Sequence, residues 1–140
     1  MAKKFQNFIN GKWVDAQSGQ TFENRNPANW DDVLGVFPKS GKADVDNAVK
    51  SARVAFEKWR LVPAPKRGDI MRKVGDLMVA RKEQLARQMT KEMGKVLTET
   101  RGDVQEGIDT AYYAATEGRR LFGHTVPSEL PNSRRPSVAA

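Results

Sequence analysis

The chain has 140 residues, no cysteine and one histidine, His124. Those two counts remove much of the chemistry a small protein performs. Without a thiol there is no thiolate nucleophile, no disulfide and no thiolate metal site. A lone histidine, with no Asp or Glu closer in the local sequence than Glu129, supplies neither a His-rich metal cage nor a His-based triad. It reads as an exposed or hydrogen-bonded loop residue. The paired carboxylates Asp31/Asp32 and Asp44/Asp46 have the composition of acid–base pairs. Solvation beside a turn explains the first pair. Asp44 falls in the first turn of a helix, where a carboxylate complements the macrodipole. Gly94-Lys95 resembles the end of a phosphate loop. Such a loop needs glycine six residues before the lysine, for close backbone approach to phosphate, and that residue is Met89. Gly94 therefore reads as a helix C-cap.

The elements that carry these residues follow from turn signals and periodicity. Asn10-Gly11 lies between Phe8-Ile9 and Trp13-Val14, and this dipeptide favours a two-residue type I′ hairpin turn. Ser18-Gly19 is a second turn, before the alternating Thr21-Phe22-Glu23-Asn24, and Asn26-Pro27 stops that strand. Val33–Pro38 reads as one more strand. A β segment over about 5–38 is thus followed by helices. Val45, Ala48, Val49, Ala52, Phe56 and Trp59 make the apolar stripe of a helix over about 44–60. A second runs over about 65–93, with a bend near Arg81-Lys82. A third, over about 98–118, is capped by Thr98 and ended by Gly118.

Composition sets limits on function. The net charge is +7 and the hydrophobic share is 39%. Between Lys66 and Lys95 there are nine basic and four acidic residues, spread around the helices rather than gathered in one block. With no nucleic-acid-binding wording beside it, this charge reads as a solvated face. No apolar run is long enough for a signal peptide or a membrane helix. The expectation is a cytoplasmic protein with no membrane partner and no nucleic-acid partner.

The ordered wording of residues about 5 to 132 resembles the opening of the NAD(P)-dependent aldehyde dehydrogenase superfamily. The resemblance rests on Ile9-Asn10-Gly11-Lys12-Trp13, Ser18-Gly19, Phe22, Asn26-Pro27-Ala28, and Asp44–Val49 with Phe56 and Trp59. It continues through Arg81–Ala86, Thr90–Lys95, Tyr112-Tyr113 and Gly123–Ser128. Ala111–Tyr113 and Thr125–Pro131 look most like semialdehyde-oxidising branches such as 2-oxoglutarate semialdehyde dehydrogenases. The resemblance implies an α/β fold of the aldehyde dehydrogenase type. Here only its N-terminal part is expected, an antiparallel β segment followed by amphipathic helices. Residues 1–132 would be the start of the cofactor-binding domain and 133–140 a tail outside the family pattern, without strand periodicity. A frameshift or truncated reading frame would produce such a tail. The family is homo-oligomeric and oxidises aldehydes with NAD or NADP, through a cysteine thiolate. By resemblance, the catalytic and cofactor-binding residues all lie beyond residue 140. No catalytic or cofactor-binding residue is assigned in this chain. It is expected to bind no cofactor, to be inactive alone, and to self-associate.

The resemblance implies one site. Some family members hold a structural monovalent cation with an acidic side chain at the position of Glu92 and backbone carbonyls at those of Asn24 and Arg25. Oxygen ligands suit a hard cation. An ordinary helix-end ion pair of Glu92 is the alternative. For the whole chain, a basic helical module docking on a protein or nucleic acid is the competing reading.

Overall fold

The computed structural model describes residues 2–120 with their side chains and the backbone of residues 124–127 and 134–137. The first hairpin joins β1 (Asn7–Ile9) to β2 (Lys12–Val14), with Phe8 paired to Trp13. Both turn residues have positive φ, 53° at Asn10 and 74° at Gly11, as a type I′ turn requires. The second hairpin joins β3 (Thr21–Asn26) to β4 (Asn29–Pro38). Here β4 starts four residues earlier than Val33. Asn29, Asp31 and Asp32 are poor strand formers and hide it. Two local bonds favour the reversal: Ala28 N–H donates to Asn26 Oδ1 (3.0 Å), and the Arg25 guanidinium donates to the Trp30 carbonyl (2.9 Å). The N-terminal residues run beside β4. Phe5 N–H donates to the Val36 carbonyl, and Val36 N–H to that of Lys3. Phe5 stacks on Phe37 with ring centroids 4.4 Å apart.

Four helices follow: α1 (Lys42–Trp59), α2 (Ala64–Ala80), α3 (Lys82–Met93) and α4 (Leu97–Glu117). The single helix expected over 65–93 is two. The break falls at Arg81 (φ −112°, ψ 13°), whose N–H still caps α2 while its carbonyl accepts from Leu85. Neither glycine nor proline marks the position. The break coincides with the bend expected near Arg81-Lys82, and α3 beyond it packs on α4. The N-cap of α4 is Val96, not Thr98, and no side chain caps it. Gly118 ends α4 in right-handed geometry (φ −60°) rather than as a left-handed cap.

Ala86, Val104 and Ile108 form the buried centre, packed by Met78, Leu85, Met89, Leu97 and Tyr112. A fully buried side chain of this kind is worth about 1.5–3 kcal/mol. Thr100, also buried, bonds the Thr90 hydroxyl (2.7 Å) and donates to the Leu97 carbonyl. Close approach of α2 to α4 depends on small residues. A Cβ at Gly68 would run into the Ala115 carbonyl oxygen, and one at Gly118 into that of Ala64. Helix α1 is different. It touches β1, and its one buried residue is Asp44.

Residues 134–137 correct the expectation of a tail without strand character. β5 (His124–Pro127) and β6 (Arg134–Ser137) form an antiparallel ribbon with His124 opposite Ser137. Arg134-Arg135-Pro136-Ser137 has no apolar alternation. A two-stranded ribbon is all edge, so it tolerates a proline that a central strand would not. The wording at Gly123 and Ser128–Asn132, the side chain of His124, and tail residues 133 and 138–140 lie outside the described residues.

Candidate functional site

The end of α3 docks on the turn between β3 and β4. Gly94 takes a left-handed conformation (φ 73°) and its N–H donates to the Thr90 carbonyl (2.8 Å), closing the helix as the sequence predicts. A Cβ there would meet the Pro27 ring at 3.2 Å. This approach places Glu92 against β3. Asn24 Nδ2 donates to Glu92 Oε2 at 2.7 Å. One turn position away, Lys91 reaches Asp32 at 3.2 Å, and Asn26 Nδ2 donates to the same carboxylate at 3.3 Å. The Asn26 amide, and after it Lys91, hold the Asp32 carboxyl below its ordinary pKa.

The ladder register shifts between Asn24 and Arg25 and again between Arg25 and Asn26. Such irregularities take backbone groups out of regular pairing. They fall at the two residues whose carbonyls the cation expectation names. The structure therefore brings Glu92 and Asn24 together, through the Asn24 side chain. The Arg25 side chain turns elsewhere, to the Trp30 carbonyl and to Glu23 at 2.5 Å. Among the described residues the carboxylate of Glu92 is bonded by a neutral amide rather than by a lysine or arginine. Among the same residues, no three His, Cys, Asp or Glu cluster as a metal site.

The other candidates have structural work. Asp44 Oδ2 accepts from Gly41 N–H and Oδ1 from Gln17 N–H, both at 2.9 Å. These two bonds, that of Gly41 first, hold its carboxyl below the ordinary value. Asp46 pairs with Lys42 on the exposed side of the same helix, so the two carboxylates serve different ends. Asp31 lies in β4, and its N–H donates to Asn29 Oδ1. Lys95 is held by Asp103 at 2.6 Å, which raises its pKa. Its ammonium is thus spent on α4, not aimed at a phosphate. The basic-module reading loses ground in the same way. Arg101 makes a two-pronged bond to Glu83 (2.9 and 2.8 Å), Arg72 pairs with Asp76, and Lys4 with Asp15.

Comparison with known proteins identifies the class. The profile of the aldehyde dehydrogenase family matches residues 13–138, so the match continues past residue 132. A glutarate-semialdehyde dehydrogenase of Pseudomonas putida is 37% identical over 129 residues, covering 92% of this chain and 27% of the relative. An alpha-ketoglutaric semialdehyde dehydrogenase of Bacillus subtilis is 40% identical, covering 89% of this chain and 25% of the relative. The crystal structure of an NAD-dependent aldehyde dehydrogenase from Sinorhizobium meliloti superposes with a TM-score of 0.85 at 34% identity, over 96% of this chain and 27% of that one. The chain belongs to the aldehyde dehydrogenase family. It spans about a quarter of the length of the curated relatives it matches. No helix of the described residues is long and apolar enough to cross a membrane.

Proposed function

We propose that these residues are the N-terminal part of the cofactor-binding domain of an enzyme that oxidises semialdehydes to carboxylates with NAD or NADP. The single observation that carries this is the joint match in sequence and backbone to semialdehyde and aldehyde dehydrogenases over nine-tenths of the chain. NAD or NADP would supply the hydride acceptor. The thiolate that the family reaction needs has no source among these 140 residues. Pure chain, incubated with NAD or NADP and a panel of semialdehydes, is expected to give no reduced cofactor above the buffer rate. Turnover by pure protein would overturn this reading of the chain as a non-catalytic part.

The cation site belongs to the same proposal. The Glu92 carboxylate, the irregular β3 backbone at Asn24 and Arg25, and the preference of hard cations for oxygen support it. Its role would be to fasten α3 to the second hairpin. Glu92→Gln is therefore expected to lower the melting temperature more in sodium or potassium chloride than in the salt of a bulky organic cation. Equal shifts in both media would leave only the Asn24 hydrogen bond.

A further inference from the structure

Asn10-Gly11, the turn of the first hairpin, is the one place in the chain where glycine follows asparagine. Asparagine is among the chemically labile residues. Glycine after it, having no Cβ, leaves its backbone nitrogen free to approach the asparagine amide. Both residues are exposed, and a Cβ at Gly11 would meet nothing within 4 Å, so a ring closed here has room. Asn7, Asn24 and Asn26 hold their side-chain amides in hydrogen bonds, to Ser40, Glu92 and Asp32; among the described residues that of Asn10 has none. Asn10 also borders the groove between the hairpin and α1, together with Lys12, Lys50 and Lys58. The acids on this side of α1 are engaged elsewhere, Asp46 with Lys42 and Glu57 with Arg60. At the floor of the groove, Asp44 is held by backbone N–H groups.

We propose that Asn10 is a site of self-catalysed deamidation, in which Gly11 closes on the Asn10 side chain beside a lysine-lined groove. A bond forms from the Gly11 backbone nitrogen to Asn10 Cγ. The Cγ–Nδ2 bond breaks, and Nδ2 leaves as ammonia with the proton of the Gly11 amide. Water then opens the resulting succinimide at either carbonyl, leaving an aspartyl or an isoaspartyl linkage at position 10. Attack within one chain needs no encounter between molecules. It places negative charge on the Asn10 carbonyl oxygen, which the ammonium groups of the groove stabilise. The ladder of β1 and β2 is three residue pairs long and has no third strand. Such a hairpin is marginal, so it opens and releases Asn10 from its left-handed turn geometry. The isoaspartyl product routes the main chain through Cβ. That extra atom does not fit a two-residue turn, and the pairing of Ile9 with Lys12 is lost. The modification thus loosens the hairpin that lies against α1. This inference does not depend on the enzymatic reading.

The full chain, kept for several days at mildly alkaline pH and then cut with trypsin, supplies the test. The peptide Phe5–Lys12 carries both Asn7 and Asn10. Fragment masses should show an acid at position 10 and an intact amide at Asn7, and an isoaspartyl-specific methyltransferase should label the chain. Asn10→Gly keeps a dipeptide suited to the type I′ turn and should abolish the label. Lys50→Gln with Lys58→Gln should slow the loss of Asn10 by about two- to fivefold, the rate equivalent of exposed charge interactions. Lys66→Gln with Lys73→Gln, on α2, removes the same charge away from the groove and should leave the rate unchanged. An Asn10 that stays intact, equal conversion of Asn7 and Asn10, a rate indifferent to Lys50 and Lys58, or equal slowing by the two lysine pairs would each overturn the proposal.

Discussion

Gly68→Ala is expected to lower the melting temperature of the chain by several degrees, although it adds only one methyl group. A Cβ at Gly68 would overlap the carbonyl oxygen of Ala115, a backbone atom that no rotamer change can move. Helices α2 and α4 must then separate. Gly118 against the Ala64 carbonyl and Gly75 against the Tyr112 ring, at 2.9 Å, lie on the same crossing and would loosen with it. Forcing extra volume into a packed contact costs about 1–3 kcal/mol. Each kcal/mol moves the melting temperature by roughly 2–8 °C for domains of sizes bracketing this one. Gly102→Ala supplies the contrast. A Cβ there meets nothing within 4 Å, on an exposed face of α4. It should raise stability by about 0.4–1 kcal/mol, through lower entropy of the unfolded chain. A continuous thermal scan of the three proteins, followed by far-ultraviolet dichroism, measures both shifts. Equal melting temperatures for Gly68→Ala and the parent chain would show that α2 and α4 do not approach so closely in solution.

The fold was legible wherever the signal was local. Asn10-Gly11 marks its own turn, because few residues accept positive φ at both positions. Gly94 marks the end of α3 for the same reason. Apolar periodicity places α1 and α4 within two residues of their observed ends. The bend expected near Arg81-Lys82 is where α2 and α3 part, but one uninterrupted stripe runs through both and does not show that the bend is a full break. Pattern reading fails at Asn29–Asp32, a strand of poor strand formers held by side chains of the preceding strand. Periodicity is silent on whether a stripe is covered. The stripes of α1 and α4 look alike in sequence, yet Val104 and Ile108 are buried while Val49 and Phe56 are not.

The candidate site was legible only through the family resemblance. Glu92 and Asn24 are 68 positions apart, and no pattern of residue types links them. The bonds from Gly41 and Gln17 to Asp44 show the same limit. The helix-start role of Asp44 could be read from its place in the first turn of the stripe that begins at Val45. The bond to Gln17, 27 positions away, could not. Long-range polar contacts are set by how elements pack, and the sequence records them one residue at a time without naming the partner.

That long-range contact makes Asp44 the second position where a large effect is expected. Its carboxylate fastens the start of α1 to the loop after β2, at the one buried point of that helix. Asp44→Asn retains one acceptor oxygen where two N–H groups now find partners, so one of them is left unpaired. The melting temperature is expected to fall by on the order of 5 °C at neutral pH, and Asp44→Ala should fall further. The effect should also depend on pH in a defined direction. The backbone donors hold the folded-state pKa of Asp44 below 3.8, its ordinary value. A depressed carboxyl adds stability that is complete above the unfolded pKa and is lost as pH falls through the folded one. The gap between the parent chain and Asp44→Asn should therefore stay constant between about pH 5 and 8 and narrow as pH drops below about 4. Asp15, Asp32 and Glu83 are depressed as well, and they too weaken the chain in acid. They are present in both proteins, so the difference between the two melting curves isolates Asp44. A gap that keeps its size into strong acid would mean that the charge on Asp44 contributes nothing, and that α1 is fastened by packing on β1 alone.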